Sequence, residues 1–256
     1  MKLAIDQYAH LSSPIHRWDA RYKLIGLLTL IFAFAFVEDL RLVPVMLLVV
    51  VGLYWLSRLP LEFLTTRLQY PGIFILAMVG ILPFLSGETV LWRMGFLTIR
   101  QEGSLALILV LSRFLAIFTT GLVLCGTGSF IRLVKAMRSL GLSRILTDMI
   151  LLVYRYLTEL SYQLTTMQHA TQLRGFQPLK LNRRNLEIYA ALAGSLLVRS
   201  YHQSQEVYQA MQLRGYGVTP GSAQAQSRVT LDTYSAIALL ITLGVSIGLI
   251  GFEVLA

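Results

Sequence analysis

Apolar residues gather in five stretches, at 24–37, 42–56, 71–86, 104–125 and 231–252. The last two reach the roughly 20 residues that a spanning helix needs. The first three are shorter, so they recruit flanks such as Trp18, Tyr22, Trp55 and Tyr70, or cross a locally thin bilayer. Between the fourth and fifth stretches the pattern changes to amphipathic. Residues 126–230 read as three helices, and a connection of about 100 residues is long enough to be a functional element. Ser129 caps a short helix that ends before Gly141. Ser143 caps a second, which runs to Arg174 and is stopped by Gly175 and Pro178. Asn182 caps a third, with Leu181 and Leu186 as a hydrophobic staple, and this one runs to Arg214 and stops at Gly215. The two long helices have about 30 residues each, hence a length on the order of 45 Å.

These long helices repeat each other at an offset of 40. Leu146, Ile150, Val153, Leu157, Leu160, Leu164, Met167 and Thr171 recur at alternating steps of four and three, and Arg174 closes the series. The equivalent positions are Leu186, Ala190, Ala193, Leu197, Ser200, Ser204, Val207, Met211 and Arg214. A seam of this spacing faces a partner helix. Ala and Ser in the second seam let two backbones approach closely where they cross. Both helices end in the same words, Gln172-Leu173-Arg174-Gly175-Phe176 and Gln212-Leu213-Arg214-Gly215-Tyr216. A single arginine beside a glycine stop would read as a side chain satisfying helix-end carbonyls. Two copies in the same rotational phase read instead as a two-pronged docking device. A guanidinium held at a defined helix end suits a carboxylate-lined groove on another protein.

Composition agrees with a polytopic membrane protein, at 55% hydrophobic and 14% charged over 256 residues. The first apolar run lies behind a charged segment with no small-residue cleavage site, so a removed signal peptide is not expected. The net charge of +9 is uneven: residues 126–230 hold twelve Lys and Arg against Asp148, Glu159, Glu187 and Glu206. Positive residues are retained on the cytoplasmic side. The N-terminus and 126–230 are therefore expected inside, and the C-terminus outside after five spans. Topology explains this charge without nucleic acid as a partner. The expected organisation is a cytoplasmic N-terminal segment (1–23), four spans (24–125), the coupling helices (126–230) and a last span (231–256).

Little suggests catalysis or metal binding. His10, His16, His169 and His202 form no i, i+4 pair with an acidic neighbour, and no nucleotide-cradling glycine loop or nucleophile elbow is present. Cys125 is expected to be a buried, inert thiol. Arg113 stands near the middle of the fourth span, where a charge is costly. It reads either as an intramembrane functional group or as an arginine paired inside the bundle.

The chain resembles the transmembrane T component of energy-coupling factor (ECF) transporters, in particular the cobalt-type CbiQ family. The likeness rests on Asp6-Gln7-Tyr8-Ala9 with Ser13-Pro14-Ile15-His16, on Asp19-x-Arg21-x-Lys23-Leu24, on Thr119-Thr120 with the short helix after it, and on the paired Arg-Gly helix ends. The family triplet is Ala-Arg-Gly; both copies here are Leu-Arg-Gly. An Arg155-Tyr156 pair is family-like, with Thr158 where a proline is expected. The resemblance implies an all-α membrane bundle of about five spans carrying two long crossed coupling helices. It also implies a non-catalytic scaffold and coupling subunit of an ABC-type importer for cobalt or nickel in the bacterial inner membrane. Arg174, Gly175, Arg214 and Gly215 would dock onto two ATP-binding cassette ATPase subunits. Those subunits hydrolyse the ATP, and this chain binds no cofactor or metal of its own. A CbiM-like substrate-binding membrane subunit, with a small accessory one, would complete the complex. A vitamin-type T component, or an adaptor or enzyme without an ATPase partner, remain the alternatives.

Overall fold

A computed structural model describes residues 13–80, 90–94, 97–176, 182–216 and 233–255. Asp6-Gln7-Tyr8-Ala9, His10, Pro178 and the Leu181 staple lie outside the described residues. The architecture is a helical membrane bundle. Its helices are α1 (Pro14–Arg17), α2 (Ala20–Phe36), α3 (Val43–Ser57), α4 (Leu61–Val79), α5 (Gln101–Gly126), α6 (Phe130–Ser139), α7 (Arg144–Leu173), α8 (Arg183–Leu213) and α9 (Thr233–Leu255). One small antiparallel hairpin, β1 (Val90–Met94) with β2 (Leu97–Arg100), precedes α5 as a local addition to that bundle. Its Val, Trp, Thr and Ile content favours a pleated strand. Among the described residues, three helical stretches are long and apolar enough to cross a membrane: Leu40–Ser57, Gly103–Gly126 and Thr233–Leu255.

The chain divides into two units. The first contains α1–α6 and α9, and the second contains α7 and α8. The boundary falls between Leu140 and Gly141, not at the end of the fourth span. Helix α6 belongs with the bundle because Val134 and Ala136 are buried and α6 packs on α2. Its charged residues Arg132, Lys135 and Arg138 remain exposed on the other side.

Helix α2 is the centre of the first unit, packed by α5, α6 and α9. The backbone N–H of Asp19, its N-cap, donates to Ser235 Oγ at the start of α9 (3.0 Å). Beyond its far end, the N–H groups of Glu38 and Asp39 donate to the Glu253 carboxylate near the end of α9 (3.0 and 3.1 Å). Start meets start and end meets end, so α2 and α9 run parallel. By contrast Lys23, early in α2, donates to Thr127 just past the end of α5, while Val37 meets Arg113 within α5. Thus α5 runs antiparallel to α2. Phe63 at the start of α4 lies against Gly126 at the end of α5, so that pair is antiparallel too. These directions are the ones that five successive spans require. They also place α1, the exit of α5 and the entry of α9 at one end of the bundle.

Two apolar clusters fill the unit. One gathers Ile15, Trp18, Leu27, Leu59, Phe63 and Leu122–Leu124, and the other Leu30, Phe34, Val37, Leu42, Met46, Val50, Ala116 and Leu249. Phe32, Phe36, Leu48, Trp55 and Ile247 point outward, as suits an apolar solvent. In lipid there is no hydrophobic drive between helices, so close van der Waals packing holds them. Gly26 shows this. A Cβ there would stand 2.6 Å from Thr242 Oγ1 and 3.3 Å from the Trp18 ring. Buried Thr242 and Ser246 satisfy their hydroxyls on carbonyls of their own helix, at 2.9 and 2.8 Å. We expect Gly26→Leu to force α2 and α9 apart and destabilise the detergent-solubilised protein by about 1–3 kcal/mol or more. A thermal unfolding midpoint equal to wild type would contradict that packing.

The third apolar run is entered by a helix that begins well before it. Helix α4 starts at Leu61, directly after Pro60, and carries Pro71 inside it. Pro60 supplies the extended N-cap conformation, and the amide that Pro71 lacks is tolerated in a membrane helix. Cys125 is exposed rather than buried, because the inward face at the end of α5 is taken by Val123, Leu124, Gly126 and Thr127.

Candidate coupling site

Helices α7 and α8 start as their sequences dictate. Ser143 Oγ accepts from the Leu146 N–H at 3.2 Å, and Asn182 Oδ1 accepts from the Arg183 N–H at 3.2 Å. The two helices line a shared groove near their midpoints, with Val153, Leu157, Leu160 and Leu164 on one side and Ala193, Leu197 and Ser200 on the other. These seven are seam positions of the 40-residue repeat, and Tyr156, Ser161 and Leu196 beside the seam complete the lining. Arg155 lies over the Tyr156 ring, 5.8 Å from its centroid.

The repeated pentapeptide builds the same structure twice. After Arg174, Gly175 adopts φ +87°, and after Arg214, Gly215 adopts φ +74°. The Gly175 N–H donates to Gln172 O (3.0 Å) and the Phe176 N–H to Thr171 O (3.1 Å). At the second end the Gly215 N–H donates to Gln212 O (2.9 Å) and the Tyr216 N–H to Met211 O (3.0 Å). This paired bonding is the Schellman motif, which satisfies the last carbonyls with the backbone itself. Neither arginine is therefore needed as a cap. Glycine is required because a left-handed residue with a Cβ is strained.

The aromatic residue after each glycine locks the two helices together. Phe176 packs edge-on against Tyr189 in α8, with centroids 5.2 Å apart. Tyr216 donates its hydroxyl to Asp148 Oδ2 in α7 at 3.1 Å. Each aromatic thus reaches the opening turns of the opposite helix, making α7 and α8 an antiparallel pair. Arg174 and Arg214 consequently stand at opposite ends of that pair, separated by about one helix length, on the order of 45 Å. The structure does not bring them together. Both side chains are exposed, and among the described residues neither guanidinium makes a hydrogen bond or ion pair. The leucines before them, Leu173 and Leu213, are each 90% exposed. An exposed leucine beside an exposed arginine is thus repeated at two matched helix ends, and neither pair is used by the fold among the described residues. The pentapeptide repeat contains these leucines, but only the fold shows that both are exposed.

Arg113 has a different setting in the bundle. Its Nη2 donates to the carbonyl of Val37, the C-cap of α2, and its Nε is buried with no hydrogen-bond partner among the described residues. A cation at the carbonyl end of a helix is favourably placed. The guanidinium is therefore held by protein within the bundle.

Comparison with known proteins covers most of the chain. The family model for CbiQ, the cobalt transport protein, matches residues 11–224. The chain is 26% identical over 227 residues to the energy-coupling factor transporter transmembrane protein EcfT of Bacillus selenitireducens, covering 84% of each chain. It is 26% identical over 226 residues to the protein of the same name from Lacticaseibacillus paracasei, covering 84% of this chain and 85% of that one. With the parallel and antiparallel helix directions and the twin helix ends already established, the match places the chain: it belongs to the CbiQ cobalt transport protein family and is a transmembrane (T) component of the energy-coupling factor type.

Proposed function

We propose that the chain is the non-catalytic coupling subunit of an ATP-driven importer of cobalt or nickel in the bacterial plasma membrane. Its N-terminal segment and the α7–α8 pair face the cytoplasm, where retained positive charge belongs. The single observation that carries the reading is the pair of equivalent Schellman ends, each presenting an exposed leucine and an unengaged arginine. Two identical tips at opposite ends of one helix pair fit two copies, or two homologous forms, of an ATP-binding cassette subunit. Each guanidinium enters an acidic groove, and each leucine fills an adjoining apolar pocket. When the two ATPases close on ATP, the tips approach. The Ala and Ser positions of the α8 seam permit α7 and α8 to slide at their crossing. That movement is passed to a separate CbiM-like membrane subunit, which selects the metal. The family description as a cobalt transport protein supports the substrate class, and the names of the relatives support the energy-coupling role.

The test is isolation of the chain in mild detergent from cells that express it with its genomic neighbours, with mass spectrometry of the copurified proteins. An ATP-binding subunit and a second membrane subunit should copurify with wild type. The ATPase should be lost when Arg174 and Arg214 are both replaced by alanine. Recovery of the chain alone, under conditions that preserve other membrane complexes, would overturn the proposal.

A further inference from the structure

The end of the bundle where α1, α2 and α6 meet holds a cavity of about 300 Å³. Arg17 and His16 reach it from α1, Arg21 and Lys23 from the start of α2, and Arg132 and Lys135 from α6. Among the described residues, Asp19 is the only carboxylate on its wall. That carboxylate already serves the fold, since Asp19 Oδ1 accepts from the Arg21 N–H at 3.2 Å as the N-cap of α2. Positive residues on a membrane rim are expected from topology alone, but those are normally solvated. Here Lys23 is only 3% exposed. Its ammonium donates to Thr127 Oγ1, and among the described residues it makes no ion pair. The Thr127 hydroxyl in turn donates to Val123 O at 2.5 Å. Burial, with the Arg132 charge nearby, pulls the Lys23 amine down to about 7, as expected of a buried ammonium with no counter-charge among the described residues. Trp18, on the same wall, is 7% exposed, and its indole N–H has no hydrogen-bond partner among the described residues.

The charged donors on this wall are the guanidinium groups of Arg17, Arg21 and Arg132 and the ammonium groups of Lys23 and Lys135, and among the described residues Asp19 is the one carboxylate beside them. Such a set complements a compact, acceptor-rich anion, and arginine forks match the oxygen geometry of phosphate. We propose that this cavity binds a phosphate-type oxyanion, either as the free ion or as the phosphate of an anionic lipid headgroup. The bound anion supplies a counter-charge that Lys23 does not find among the described residues, and it joins α1, α2 and α6 through one ligand. The site is separate from the α7–α8 tips and does not depend on what they bind.

The experiment uses the full chain in detergent, with sodium phosphate compared against sodium chloride at equal ionic strength. Thermal unfolding is monitored for wild type, for Arg132→Ala combined with Lys135→Ala, and for Lys23→Met. Arg132 and Lys135 are exposed, so their double variant keeps its packing, and Lys23→Met removes a buried charge without opening a large void. In parallel, the protein is extracted from vesicles of mixed phosphatidylglycerol and phosphatidylcholine, and retained lipid is identified by native mass spectrometry. A phosphate-specific rise in midpoint, with an apparent affinity about 10- to 100-fold weaker in the variants, establishes the free oxyanion. Preferential retention of phosphatidylglycerol by wild type, lost in both variants, establishes the lipid-borne phosphate. No phosphate effect together with indiscriminate lipid retention, or equal responses in wild type and variants, overturns the proposal.

Discussion

Replacing Arg174 and Arg214 together by alanine is expected to abolish ATP-driven metal uptake while leaving the protein folded and inserted. The fold does not use these guanidinium groups: both are exposed, and the adjoining helix ends are closed by backbone bonds from Gly175, Phe176, Gly215 and Tyr216. Any loss therefore reports a partner. Truncating one arginine of a buried charge pair at an interface typically costs about 2–5 kcal/mol. That corresponds to about 30- to 5,000-fold in affinity per tip, so two truncations exceed what the assembly can tolerate. Each single variant should retain a partial complex through the remaining tip and show weakened, poorly coupled ATP hydrolysis. Arg→Lys at either position should recover only part of the loss, because an ammonium cannot reproduce a two-pronged bond to a carboxylate. Uptake of radioactive cobalt or nickel by cells, alongside immunodetection of the membrane-inserted chain, measures both quantities. Normal uptake by the double alanine variant would end the docking proposal.

Arg113→Ala is expected to destabilise the bundle, and Arg113→Lys to leave most of its stability intact. The guanidinium satisfies the carbonyl of Val37 at the end of α2, in a place where Val37 itself is buried. Alanine leaves that carbonyl unpaired, at a cost of about 1–3 kcal/mol, and also removes the apolar stem that packs between helices. Lysine keeps one donor and the charge. Midpoints of thermal unfolding should therefore fall in the order wild type, lysine, alanine, and uptake per folded molecule should stay constant across the three. A lysine variant that folds normally yet transports nothing would show instead that this guanidinium acts in transport itself.

The parts of this protein legible in its sequence are those decided within a few residues. Ser143 and Asn182 announce their helices, since a cap acts on amides one to three positions away. The Leu-Arg-Gly-aromatic words announce two helix ends, because every bond of a Schellman motif lies within six residues. The seams are legible as well, because side chains three and four apart share a helix face whatever that face meets. Even the parallel course of the first and last spans comes from counting apolar runs and charges.

Tertiary structure decided everything that depends on a residue far away in the chain. The partner of Arg113 is Val37, 76 positions away, and no local rule selects it. Lys23 reads as one more rim charge in its motif; the packing of α5 and α6 over α2 buries it and creates the basic cavity. Residues 126–140 read as the start of the coupling segment, yet buried Val134 and Ala136 give α6 to the bundle. The two copies of the pentapeptide make the same point most plainly. Local physics makes their backbones equal, but Phe176 is buried against Tyr189 while Tyr216 stays exposed and bonds to Asp148. Backbone geometry is set by short-range sterics and hydrogen bonds, whereas burial is set by which distant surface arrives, and only the folded chain specifies that.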